Sequence, residues 1–124
     1  EKVESHQDAA TAPVRLYYTG WSSSTGEADW GLRPLFAGDK TPPSMYNISY
    51  YKNPTVDADI MKALGTTDRA EKTKLYTEVQ EEIWKDAPWA FLVTEKLLYA
   101  TSKKLTGMYV MPDANYFFEE IDLQ

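Results

Sequence analysis

Hydrophobic positions along this chain change period several times, and each change predicts an element. Residues 14–21 (VRLYYTGW) crowd β-branched and aromatic side chains between Pro13 and a run of serines, the pattern of a largely buried strand. A loop follows over residues 22–28, with three consecutive serines, Thr25 and Gly26, and then a short helical stretch over residues 30–36. Pro42 and Pro43 forbid regular structure across residues 38–44. Asn53-Pro54 is a strong helix start, a capping side chain before a proline at the first helical position. Val56, Ile60, Met61 and Leu64 form its predicted apolar stripe, and Gly65 its end. A second helix starts where Asp68 and Glu71 make a capping box. Leu75, Tyr76, Val79 and Ile83 line its inner face, and Lys74 with Glu78 and Glu81 with Lys85 are spaced for surface pairs. Pro88 stops that helix, and strand candidates follow over residues 89–94 extended through 97–101, 107–111 and 117–123. Strand, loop, helices and strands in that order predict a mixed α/β fold, with no internal repeat.

Composition narrows the functional classes. A chain of 124 residues holds one domain or a piece of one, and 43% hydrophobic with 26% charged residues is the balance of a folded protein. The net charge of -6 leaves no broad cationic surface for phosphates, so nucleic acid is not an expected partner. With no cysteine, disulfides, thiolate metal sites and thiol nucleophiles are all excluded. No apolar run approaches the length of a membrane span, so direct insertion into a bilayer is not expected. The chain starts at Glu1 without methionine or a signal core, which reads as a processed start or a cut. Residues 1–13 are polar and read as a mobile lead-in or a helix end.

Catalytic groups are sparse. His6 is the only histidine and lies in the lead-in, so neither a serine triad nor a histidine metal site can be assembled from these residues. Glu27 and Asp29 can be drawn as an acid–base pair, but solvated loop carboxylates are the commoner occurrence. Residues 20–34 (GWSSSTGEADWGLRP) are different, because two tryptophans, four hydroxyls, two carboxylates and Arg33 fall together where a strand gives way to a loop and helix. Small-molecule sites combine apolar walls with a few inward polar groups in just such places. The competing view makes Trp21 and Trp30 ordinary core and the serines a solvated turn. Composition leaves both open.

The runs YYTGWSSSTGEADWGLRPLF, SYYKNPTVDADIMKAL, AEKTKLYTEVQEEIWKDAPW and SKKLTGMYVMPDANYFFEEIDLQ resemble, in order and spacing, the C-terminal portion of peptide/nickel-class periplasmic solute-binding proteins. Within that class they are most similar to the glutathione-binding branch. The resemblance implies a class II clamshell of two lobes, with residues 14–96 in the second lobe and residues 97–124 returning to complete the first. It implies no enzyme activity, no cofactor and no metal. The implied partners are a small peptide, glutathione foremost, and the permease subunits of an ABC importer, in the bacterial periplasm. The peptide is captured reversibly as the lobes close. In the dipeptide and oligopeptide branch an aspartate stands three residues after the tryptophan matching Trp21 and pairs with the peptide ammonium; here that position is Ser24. In a γ-linked ligand the ammonium sits beside a free carboxylate, so neutral hydroxyls complement it better than a second anion.

The site expected from this resemblance is Trp21 over the ligand backbone, Ser22, Ser23, Ser24 and Thr25 on its carboxylates, Asp29 on the ammonium and Arg33 countering its charge. Asp29 is equally suited to capping the following helix. Rival readings are another cargo, such as a different peptide, an opine or a nickel chelate, a hydrolase using Glu27 and Asp29, or a stand-alone interaction domain. Apolar faces left uncovered in a cut chain would favour self-association.

Overall fold

Asn53 does what its place before Pro54 predicts. In the computed structural model, which describes residues 8–111 and 113–124, its side chain accepts from the amides of Thr55 and Val56 at 2.9 and 3.4 Å. The helix it caps runs Pro54–Gly65 and is preceded in the chain by a helix over Ala28–Phe36; these are α2 and α1. The third, α3, covers Arg69–Asp86 and starts at Asp68, whose carboxylate accepts from the amides of Ala70 and Glu71. It ends at Ala87, which turns left-handed just before Pro88.

The capping box is only half made. Glu71 does not reach back to Asp68 but takes the Thr66 hydroxyl at 2.9 Å and the Lys62 ammonium at 3.1 Å. These two contacts, the Thr66 hydrogen bond first, lower its pKa and tie α2 to α3. Lys74 pairs with Glu78 as the spacing predicts, whereas Lys85 reaches Glu82 rather than Glu81.

The three helices bury one face each. Leu75, Tyr76, Val79 and Ile83 of α3 are all buried, as the pattern predicts. On α2 the buried set is Val56, Ile60 and Ala63, while Met61 and Leu64 are exposed. Helical geometry accounts for this: at about 100° per residue, Met61 lies about 140° and Leu64 about 80° round from Val56. Leu35, Phe36 and Ala37 complete the main core, and Leu32 of α1 packs on both it and the Ala63, Leu75 and Tyr76 cluster. Trp89 closes it, its ring 4.9 Å from that of Phe36.

One buried polar side chain organises the irregular segment between α1 and α2. Asn47 is 0% exposed, donates to the Ala37 and Tyr51 carbonyls at 3.0 and 2.8 Å, and accepts from the Tyr51 amide and Ser49 hydroxyl. Next to it the Tyr51 hydroxyl donates to Asp86 at 2.6 Å, and Asn53 donates to the same carboxylate oxygen at 2.8 Å. Burial first, then the Asp86 contact, pushes the Tyr51 phenol up to about 12, and the same contact lowers Asp86. The entry to α2 is thus fastened to the end of α3.

The strands depart most from the sequence pattern. Residues 14–21 form no strand, and Leu16 is 93% exposed. Residues 89–101 are likewise unpaired, with Leu98 87% exposed. Both are apolar enough for a sheet, but a strand needs a hydrogen-bonding neighbour and none among the described residues pairs with them. What forms instead lies beyond residue 104: β1 (Leu105–Thr106), β2 (Tyr109–Val110), β3 (Tyr116–Phe117) and β4 (Asp122–Leu123). β1 pairs antiparallel with β4, Leu105 opposite Leu123, and β2 with β3, Tyr109 opposite Phe117. The single strand expected over 117–123 is therefore cut in two by a turn at Glu119 and Glu120. The mixed α/β class holds as helices with small sheets. His6 and the rest of residues 1–7 lie outside the described residues, while Thr11 and Ala12 close a single turn on the Asp8 carbonyl.

Gly107 sits where the two ribbons meet. Its φ is +75°, and a Cβ there would lie 1.8 Å from the Glu120 carbonyl oxygen. The left-handed backbone alone costs a non-glycine residue about 1–3 kcal/mol, and the clash with main chain adds to it. Gly107→Ala is expected to strip hydrogen-exchange protection from the β1 and β4 amides while leaving α2 and α3 unchanged. Equal protection of the β1 and β4 amides in both proteins would disprove this steric account.

Candidate functional site

Trp21 is held by α1 and by the segment before α2. Its indole Nε1–H donates to the Trp30 carbonyl at 2.9 Å, the Trp30 ring is 6.1 Å away, and the Tyr46 ring is 5.1 Å away. Tyr46 is placed by its own backbone, which donates to the Pro34 carbonyl. With its one donor engaged, Trp21 offers its ring face and no hydrogen bond to anything that approaches. At 36% exposure it is neither ordinary core nor a free surface ring.

The serine loop is a wound turn in which most hydroxyls already have partners. Ser23 donates to the Glu27 carbonyl at 2.9 Å and lies 3.4 Å from the Thr25 hydroxyl, which in turn accepts from the Glu27 amide. Gly26, with φ +67°, closes the turn by donating to the Ser23 carbonyl. Ser22 donates to the Asp113 carbonyl at 3.2 Å, joining the loop to the segment that leads into β3. Ser24 is exposed at the crest of the turn and its hydroxyl has no partner among the described residues.

Asp29 and Arg33 face each other one turn apart on α1. The guanidinium grips the carboxylate with both arms, Nε to Oδ1 at 2.8 Å and the terminal nitrogen to Oδ2 at 2.7 Å. That hydrogen bond to Asp29 is the main cause raising the Arg33 pKa. Asp29 does not cap the helix: Glu27 holds the capping position, and without a side-chain hydrogen bond. The expected assignment of Asp29 to one ligand charge and Arg33 to another meets a pair that is already mutually neutralised. Asp29 is thus engaged by Arg33 rather than by Glu27. Among the described residues no three acidic or histidine side chains gather as a metal site.

Beside Trp21 lies a cavity of about 150 Å³ bounded by Tyr17, Trp21, Tyr46, Ile48 and Trp89. A larger, open depression of about 370 Å³ on the outer side of α3 is lined by Thr77, Gln80, Glu81 and Trp84 and shares no residue with it. The Trp21 cavity adjoins the serine loop and is the better enclosed. The sequence pattern points to Trp21 but to neither Tyr46 nor Trp89 as its neighbours. Tyr46 stands in a proline-rich segment without period, and only the Tyr–Asn pair at 46–47 marks it.

Comparison with known proteins agrees with the resemblance. No family model matches the chain. It is 62% identical over 110 residues to the glutathione-binding protein of Pectobacterium atrosepticum, a match covering 89% of this chain and 21% of that protein. It is 54% identical over 111 residues to the glutathione-binding proteins of Salmonella typhimurium and Escherichia coli K12, covering 90% of this chain and 22% of each. The chain spans about a fifth of the length of the curated relatives it matches. These relatives are named as binding proteins, which points away from catalysis.

Proposed function

We propose, from a match to glutathione-binding proteins along nine-tenths of the chain, that it is part of the solute-binding component of an ABC importer, and that the protein it belongs to captures glutathione. The cargo is taken up reversibly in the periplasm and delivered to a membrane permease. In this reading the chain is the C-terminal portion of a two-lobed clamshell, with residues 14–96 in the second lobe and residues 97–124 returning to the first. No helix among the described residues is long and apolar enough to cross a membrane. The exposed Leu16, Val93 and Leu98 then face the remainder of the longer protein rather than a second copy.

Trp21 packs over the ligand backbone with its donor already spent. Ser24 and, by exchanging their internal partners, Ser22, Ser23 and Thr25 meet the carboxylates. The Asp29 carboxylate receives the ammonium alongside Arg33, since a carboxylate has about four acceptor positions and the guanidinium does not fill them. The ammonium and its neighbouring carboxylate together meet a neutral pair, which suits a zwitterionic glutamyl end better than an isolated anion would. That ion pair favours glutathione over an ordinary α-peptide.

Calorimetric titration of the full-length protein tests the reading. Glutathione is expected to bind at micromolar concentration and dialanine not to bind. Failure to bind glutathione, or equal binding of both, rejects it. Turnover of a glycoside or peptide would support the hydrolase reading instead.

A further inference from the structure

The ligand proposed above has one uncharged side chain, the cysteinyl CH₂–SH, and the cavity beside Trp21 has no charged lining residue. We infer that this cavity is the subsite for that sulfur, and that it also admits small S-substituents; the inference rests on the proposed cargo.

The lining dictates the occupant. Four aromatic side chains, Tyr17, Trp21, Tyr46 and Trp89, and the aliphatic Leu35 and Ile48 line the space together with Thr19 and Gly20, so its polar groups are all uncharged. The ligand's two carboxylates and its ammonium would lose water there without a countercharge, which is prohibitive. A thiol loses little water, and sulfur is attracted to the edges of aromatic rings. At neutral pH it stays protonated, its ordinary pKa being about 8.5. The position fits as well, because Trp21 is shared between the cavity and the serine loop, so one ligand can rest its backbone on the ring and turn its central side chain inward.

The volume goes further than a thiol needs. A space of about 150 Å³ without a charged lining residue has the volume of a benzene-sized group. Thioethers of glutathione with small caps are therefore within the ligand class. Tyr46 forms one wall, its ring packed on Trp21 at 5.1 Å between centroids and itself 42% exposed, so its removal opens the cavity without emptying the core.

The test compares glutathione with S-methylglutathione by calorimetry on the full-length protein, unmodified and as Tyr46→Ala and Tyr46→Phe. S-methylglutathione is expected to bind about fourfold more tightly than glutathione, the gain from burying one more carbon. Tyr46→Phe keeps that preference, and Tyr46→Ala abolishes it while its thermal unfolding stays cooperative. Equal or weaker binding of the S-methyl compound by the unmodified protein overturns the subsite and leaves the cargo standing. A preference that survives in Tyr46→Ala places the sulfur elsewhere and overturns it too. Absence of any glutathione binding overturns the cargo, and the subsite with it.

Discussion

Asn47→Ala is expected to lower the stability of the fold by about 2 kcal/mol or more, above any single truncation on the exposed faces. The side chain is wholly inside and gives two donors and one acceptor to the main chain of Ala37 and Tyr51. Each buried group left without a partner costs about 1–3 kcal/mol, and alanine orphans two of them, the Tyr51 amide and carbonyl, while the Ala37 carbonyl keeps the Lys40 amide. The loss spreads, because Tyr51 carries the hydroxyl that holds Asp86 at the end of α3. Asn47→Asp keeps the acceptor, forfeits both donors and sets a buried carboxylate against two carbonyl oxygens, so it is expected to be at least as damaging. Thermal and urea unfolding of the three proteins measures this, and a change below 1 kcal/mol for alanine would sink the argument.

The second large effect is on binding. Trp21→Ala in the full-length protein is expected to weaken glutathione about thirtyfold or more, the consequence of deleting a buried tryptophan anchor worth about 2 kcal/mol or more. Trp21→Phe retains a ring and gives up the Nε1–H bond to Trp30, so most of the affinity should remain if the ring face is what the ligand touches. The affinity is read by calorimetry and folding by the unfolding transition. Unchanged affinity in Trp21→Ala would remove Trp21 from the site.

The helices were legible because their signals are local. Asn53-Pro54 and Asp68 are complete instructions within four residues, and the face of α3 follows from its spacing. Met61 and Leu64 share the apolar character of the buried stripe but not its angle on the helix. Strands were misread for a different reason: residues 14–21 and 89–101 carry strand composition, but pairing is a property of two segments, and composition describes one. Of the strands that do form, β2 lies inside the expected 107–111 and β4 inside 117–123, whereas β1 lies outside both and, at two residues, is too short to show a period. In the candidate site, Trp21 and the hydroxyls could be picked out by type. The spacing of Asp29 and Arg33 at four residues was also in plain view, yet their reading as ligand contacts passed over the fork they form with each other. Asn47 could not have been singled out, because a lone asparagine in an aperiodic loop looks the same whether it is solvated or buried.

The Asp29–Arg33 fork has a kinetic corollary. Two opposite charges 2.7 Å apart present a short-range dipole, whose field dies away within a few ångströms of solvent. The pair therefore adds little reach with which to draw a charged solute from a distance, and little for salt to screen. At this pair a solute is recognised on contact, by hydrogen bonds to the fork, rather than from afar.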